Sequence, residues 1–139
     1  MRCACLIALG LIGCAVTFPI PTARMPIHYV GRGNLRKGGA ALDGFTCGER
    51  YEDAVSGVPA AEAEMRACWK ANVVYGLGIG LALVAVPGAF VTEHYGGSRT
   101  AVGAEAGFAA ASFLVGYIAA FVAGHHLNRA IDIYNEAIR

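Results

Sequence analysis

Charge is the property that this sequence has least of. Only 15% of its 139 residues are Asp, Glu, Lys or Arg, whereas about 25% is usual in soluble proteins. The net charge is +1, so no broad positive field favours nucleic acid, and no basic stripe interleaved with aromatic residues is present. These absences argue against a nucleic-acid-binding protein and favour an apolar environment.

Catalytic and metal-binding patterns are also missing. The sequence has no Ser/His/Asp grouping with a plausible spacing and no CxxC motif, so a triad, a zinc site and a redox site all lack support. His125 and His126 are adjacent and would point about 100° apart on a helix, which makes them poor ligands for one metal. We therefore predict no catalytic residues, no metal, no cofactor and no small-molecule substrate.

Two long uncharged runs are what the sequence does have. Ala71–Thr92 extends for 22 residues, and Ala106–Gly124 for 19, or slightly further if neutral His125 and His126 are included. A helix needs about 20 apolar residues to cross a bilayer. The runs predict spans at about 71–92 and 106–126, joined by a loop over about His94–Gly103 that turns at Gly96, Gly97 and Ser98.

Small residues recur every four positions in both spans. They are Gly76 and Gly80 in the first, and Gly103, Gly107 and Ala111 in the second. This spacing places them on one helix face, where two backbones can approach closely. We expect the faces to pack the two spans against each other; the alternative is that they join copies of the chain or bind protein partners.

The first 23 residues have the layout of an export signal. Arg2 precedes an uncharged run, and Leu11-Ile12-Gly13-Cys14 resembles the bacterial lipobox, in which the cysteine becomes lipidated and amino-terminal. The resemblance implies lipidation at Cys14. Two other interpretations stay open: an uncleaved anchor helix over Cys3–Ile20, and an ordinary cleaved signal peptide.

Cleavage at Cys14 would leave two cysteines, Cys47 and Cys68. An even pair in an oxidising compartment predicts a disulfide. Two free thiols in a reduced cytosolic segment are the alternative.

Residues 24–58 are rich in glycine and predict an irregular extramembrane region, whereas residues 59–139 predict helix. We expect Trp69, His125 and His126 to anchor the spans at the membrane interface.

After the second span, the stripe Leu127, Ile131, Tyr134 and Ile138 predicts an amphipathic C-terminal helix that lies on the membrane, docks on the extramembrane region or receives a partner helix. The fold class is thus an all-α membrane protein.

The orientation signals disagree. An exported amino terminus places residues 15–70 outside the cytoplasm, but Arg66, Lys70, Arg129 and Arg139 flank the hairpin on that same side, which the positive-inside rule opposes. We favour export because the lipobox-like pattern is more specific than a count of charges.

The overall layout resembles small uncharacterised bacterial lipoproteins and envelope proteins with a glycine-rich membrane hairpin. The likeness rests on the lipobox-like tetrapeptide, Leu42-Asp43-Gly44-Phe45 and the sequence from Arg129 to Asn135. It implies an envelope location and no known activity. We expect a non-catalytic accessory or scaffold protein of the bacterial inner membrane that contacts the lipid bilayer and protein partners. The alternative is a pore formed by oligomerised hairpins. A membrane enzyme or a metal-binding protein is a weaker alternative.

Overall fold

The computed structural model describes residues 24–30, 35–42, 47 and 49–139. This part of the chain is mostly helical. It contains strands β1 (Ile27–Tyr29), β2 (Leu35–Lys37) and β3 (Ala40–Ala41), then helices α1 (Glu49–Ala54), α2 (Pro59–His94) and α3 (Arg99–Ala137). The predicted signal or anchor segment, including Cys14, lies outside the described residues.

The prediction of a mostly helical chain is confirmed, but the region that we predicted to be irregular contains a small three-stranded sheet. The strands lie in the order β1-β2-β3 and every neighbouring pair is antiparallel. Gly38 and Gly39 connect β2 to β3 with φ angles of 54° and 87°, and such left-handed conformations suit the tight turn of a two-residue hairpin. Strands of two or three residues are too short to produce a readable alternation of apolar and polar residues.

Helices α2 and α3 form an antiparallel hairpin that is longer than a membrane is thick. Their 36 and 39 residues correspond to about 54 and 58 Å of helix, against about 30 Å for a hydrocarbon core. Helix α2 begins at Pro59, which suits a first helical position, and it continues through Pro87 without ending there. Both helices are long and apolar enough to cross a membrane.

The connection between the helices is shorter than predicted, since only residues 95–98 lie outside them. Gly96 has a φ of 75°, and the Ser98 hydroxyl caps α3 by accepting from the Ala101 N–H at 3.2 Å. Thr92 Oγ1 donates to Glu105 Oε1 at 3.0 Å and links the two helices beside the turn.

A small domain, which we call the head, surrounds the opposite end of the hairpin. It consists of the described residues up to Lys70 together with residues 125–139. Its core joins the sheet, α1 and the helix ends, through fully or nearly fully buried side chains that include Leu35, Leu42, Val55, Met65 and Tyr134. The C-terminal stripe docks here, because Ile131 is also buried in this core. The amphipathic tail is therefore the continuation of α3, packed on the head.

The backbones of the two helices come into direct contact at Gly78 and Gly116. A Cβ atom placed on Gly78 would lie 2.7 Å from the Gly116 Cα and 2.7 Å from the Ser112 carbonyl oxygen, distances at which atoms overlap. The buried residues of α3 along this contact are all small: Ala109, Ser112, Gly116, Ala119 and Ala123. Their spacing alternates three and four, which is the pattern of left-handed helix packing.

We expect Gly78→Ala to lower the unfolding midpoint of the purified protein in mild detergent. The added methyl group must separate two backbones, at a cost of about 1–3 kcal/mol. Gly80→Ala is the matched control, because nothing lies within 4 Å of a Cβ at that position and alanine favours helix over glycine. Equal midpoints for the two variants would contradict the packing described here.

Candidate functional site

The head contains a disulfide where we predicted one. Cys47 and Cys68 are bonded, their Cα atoms lie 5.8 Å apart, and both side chains are buried in the core. That separation is in the normal range for a disulfide. The bond ties the segment before α1 to the third turn of α2, and so cross-links the amino-terminal part of the head to that helix.

A lysine occupies the middle of the head. Lys37 is 2% exposed, its ammonium group donates to the Ala54 carbonyl at 2.7 Å, and the same group lies 4.9 Å from the centre of the Tyr134 ring. Ala54 is the last residue of α1, so the positive charge meets the negative end of a helix and the face of an aromatic ring. Lys37 thereby connects β2, α1 and α3.

An amide side chain of α3 binds the backbone of strand β1. Asn135 Nδ2 donates to the Ile27 carbonyl and Asn135 Oδ1 accepts from the Ile27 N–H, both at 2.9 Å. The amide thus takes the place of a further strand at the sheet edge. Two residues later the Tyr29 hydroxyl donates to Asn128 Oδ1, and partial burial, reinforced by the nearby Asp132 carboxylate, raises the pKa of the Tyr29 phenol.

Glu64 is the centre of a polar cluster between α2 and α3. His126 Nδ1 donates to Glu64 Oε2 at 2.6 Å, and Arg129 Nε lies 3.1 Å from Glu64 Oε1. The hydrogen bond from His126 lowers the pKa of the Glu64 carboxyl. Partial burial raises this pKa, and the positive charge of Arg129 lowers it further. The cluster joins the two helices within the head, a few residues from the uncharged runs.

Of the predicted interface anchors, Trp69 and His125 are exposed, Trp69 by 53%. Both lie at the boundary between the head and the uncharged part of the hairpin. His126 instead faces α2 and binds Glu64. The structure gives His126 a role between helices, while anchoring by Trp69 and His125 stays a prediction.

The predicted packing glycines do not lie where the helices touch. At Gly76, Gly80, Gly103 and Gly107 no atom lies within 4 Å of a Cβ position, and Ala111 is exposed. The expectation that they pack the two spans on each other is wrong, because the contact uses Gly78, Gly116 and a spacing of three and four. Association with copies or partners through these residues stays a prediction.

Large apolar side chains cover the outside of the hairpin instead. Leu83 is 69% exposed, Val84 75% and Phe121 64%. Only 11% of the most apolar 18-residue segment of α2 is buried, and 28% of that of α3. A core helix of a soluble protein would be mostly buried, so these faces need another apolar environment.

One depression lies along the hairpin near the head and another near the turn. A cavity of about 250 Å³ adjoins the disulfide and is bordered by Tyr51, Asn72 and Tyr75. A larger groove of about 760 Å³ opens between α2 and α3 near the turn, and Glu93 is its one charged lining residue. The described residues contain no group of three His, Cys, Asp or Glu side chains that could hold a metal ion.

Comparison with protein family models, curated proteins and solved structures gives no match for this chain.

We expect mass analysis of the unreduced protein to find the Cys47 and Cys68 peptides linked. Replacing both cysteines with serine should lower the free energy of unfolding by about 3 kcal/mol, because the bond closes a loop of about 20 residues. Complete alkylation of both thiols without prior reduction would contradict the bridge.

Replacing Glu64 with Gln should reduce stability in a pH-dependent way. A carboxyl whose pKa is lowered in the folded state stabilises that state above its ordinary pKa, and the contribution is lost as the pH falls through the folded value. Unfolding midpoints measured from pH 7 to pH 3 should therefore differ most at neutral pH and converge below about pH 4. Glu136→Gln, on an exposed face, is the control; a pH-independent difference for Glu64→Gln would refute the assignment.

Proposed function

We propose that this chain is a non-catalytic, membrane-embedded accessory or scaffold protein of the bacterial cell envelope, with the hairpin as its anchor and the head as the part that meets other proteins. The observation that supports the proposal is the distribution of exposed apolar and charged side chains along the hairpin. The middle of the hairpin exposes apolar side chains on all sides, whereas the charged residues of α2 and α3 are confined to the two ends.

The dimensions of the hairpin suit a bilayer. The uncharged runs of 22 and 19 residues correspond to about 33 and 29 Å, close to the thickness of a hydrocarbon core. Trp69 lies at one end of the uncharged part of α2, and Tyr95, which is 84% exposed, lies just beyond the other. Aromatic residues at both boundaries are typical of membrane-spanning helices.

The rigidity of the head supports a scaffold role. The disulfide ties the segment before α1 to α2, and the Lys37 contacts and the Asn135 amide tie β2, α1 and β1 to α3. A domain held in this way keeps a constant surface and position above the anchor. The side of the membrane on which it lies is part of the proposal: we place it outside the cytoplasm, since a disulfide persists in an oxidising compartment.

Nothing in the described part of the chain favours the alternative of a pore. A water-filled path needs polar lining, and the outward faces of the hairpin carry mainly Leu, Val, Phe, Ala and Gly.

Membrane insertion predicts that reporter fusions after Ser98 and after Arg139 report opposite sides of the membrane. The two sites lie at opposite ends of α3, so a spanning hairpin must separate them. A fusion at Gly57, in the head, is the control and should report the same side as Arg139. If Ser98 and Arg139 report the same side, or alkaline carbonate releases the protein from membranes, the anchoring proposal fails.

The scaffold proposal has its own test. The tagged chain is purified from native membranes in mild detergent, and partners are compared with those of a variant whose head surface is altered by Arg36→Glu, an exposed position in β2. Loss of a stoichiometric partner with the variant supports the proposal. A chain that copurifies with no membrane protein and shows enzymatic turnover would refute it.

A further inference from the structure

The groove between α2 and α3 is lined by residues whose spacing is typical of the core positions of a helical bundle. On α2 its lining includes a stripe of five residues, whose spacing is four, three, four and three: Ile79, Leu83, Val86, Phe90 and Glu93. This is the heptad spacing, with a mean period of 3.5 residues, which keeps a row of side chains directed toward a neighbouring helix over several turns.

Helix α3 contributes a matching stripe to the same groove. Val102, Ala106, Ala109 and Phe113 all line it, at spacings of four, three and four. Two small residues lie between two larger ones in this stripe, so another helix can approach at Ala106 and be flanked by the ring of Phe113. Two antiparallel helices make up half of a four-helix bundle. Because both helices direct heptad stripes toward the open groove, the groove can accommodate a second pair of helices.

We propose that a second copy of this chain fills the groove with its own groove face, so that two hairpins form a four-helix bundle about a twofold axis along the membrane normal. The inference rests on the proposed membrane anchoring, which requires both heads to lie on the same side. In such a pair, α2 of one copy lies beside the antiparallel α3 of the other.

The charges at the turn favour a second copy over other occupants. Glu93 lines the groove at its turn end, and exposed Arg99 continues the α3 stripe three residues before Val102. Within the described part of the chain neither side chain forms an ion pair.

Both residues lie within one helical turn of the connection between α2 and α3, so they are at the same height in the hairpin. The twofold pairing therefore places Glu93 of each copy opposite Arg99 of the other. An acyl chain would leave both charges unpaired, and an unrelated helix would need its own complementary pair at the same level.

Cross-linking through introduced cysteines tests the pairing. In native membranes that contain the full chain, Ala106→Cys should give a covalent dimer with a short bismaleimide. Ala111→Cys is the matched control: it is also exposed on α3, but it lies five residues away and about 140° around the helix. We expect its dimer yield to equal that of the wild-type chain, whose own cysteines set the background. Equal yields for Ala106→Cys and Ala111→Cys would overturn the proposal.

Charge exchange tests the orientation of the two copies. In the Ala106→Cys background, Glu93→Arg and Arg99→Glu should each lower the dimer yield about two- to fivefold, because like charges then face each other across the interface. The double exchange should restore the yield. A double variant as weak as either single variant would refute the opposition of Glu93 and Arg99.

Other occupants give different products. A cross-link from position 106 to a different protein, without a homodimer, would overturn the second copy as the occupant. Alkaline carbonate extraction of the same samples separates the two proposals. A chain that stays in the membrane as a monomer refutes the pairing and leaves the anchoring intact, whereas a cross-linked dimer released by carbonate supports the pairing and refutes the anchoring.

Discussion

The close contact of α2 and α3 at Gly78 and Gly116 is the constraint on which the rest of the structure depends. Because neither residue has a side chain, the two backbones meet directly, and in an apolar environment such packing is the main force that holds helices together. The contact aligns the helices over their full length. It thereby brings Glu64 to His126 at one end and Thr92 to Glu105 at the other, so hydrogen bonds reinforce both ends of the hairpin.

The two long helices could be predicted from the sequence because their cause is local: uncharged runs of 22 and 19 residues have few other stable conformations. The contact between them could not be predicted from a spacing of four alone. Antiparallel packing follows a spacing of three and four, and the signal was present in the small residues from Ala109 to Ala123. Gly76, Gly80, Gly103 and Gly107 share a simple spacing, yet they face outward.

The head was harder to predict because its structure depends on distant partners. Strands of two or three residues have no periodicity of their own, and β1 obtains its outer hydrogen bonds from Asn135. Lys37 reads as a surface charge in the sequence, but the end of α1 and the Tyr134 ring make its burial possible. The pairing of Cys47 with Cys68 could be predicted, because it follows from a count of the cysteines and needs no knowledge of the three-dimensional structure. Glu64 and His126 gave no signal, because they are 62 residues apart.

The Asn135 amide also determines when the head can be completed during synthesis. Asn135 follows Ile27 by 108 residues, and both long helices lie between them. The ribosome must therefore make the whole hairpin before β1 acquires its last partner, and Ile131 and Tyr134 reach the core equally late. Until then, Leu35, Leu42 and Val55 lack part of the surface that buries them. Synthesis of both long helices thus precedes completion of the head, and a chain that stalls within α3 carries an unfinished head that exposes its apolar residues.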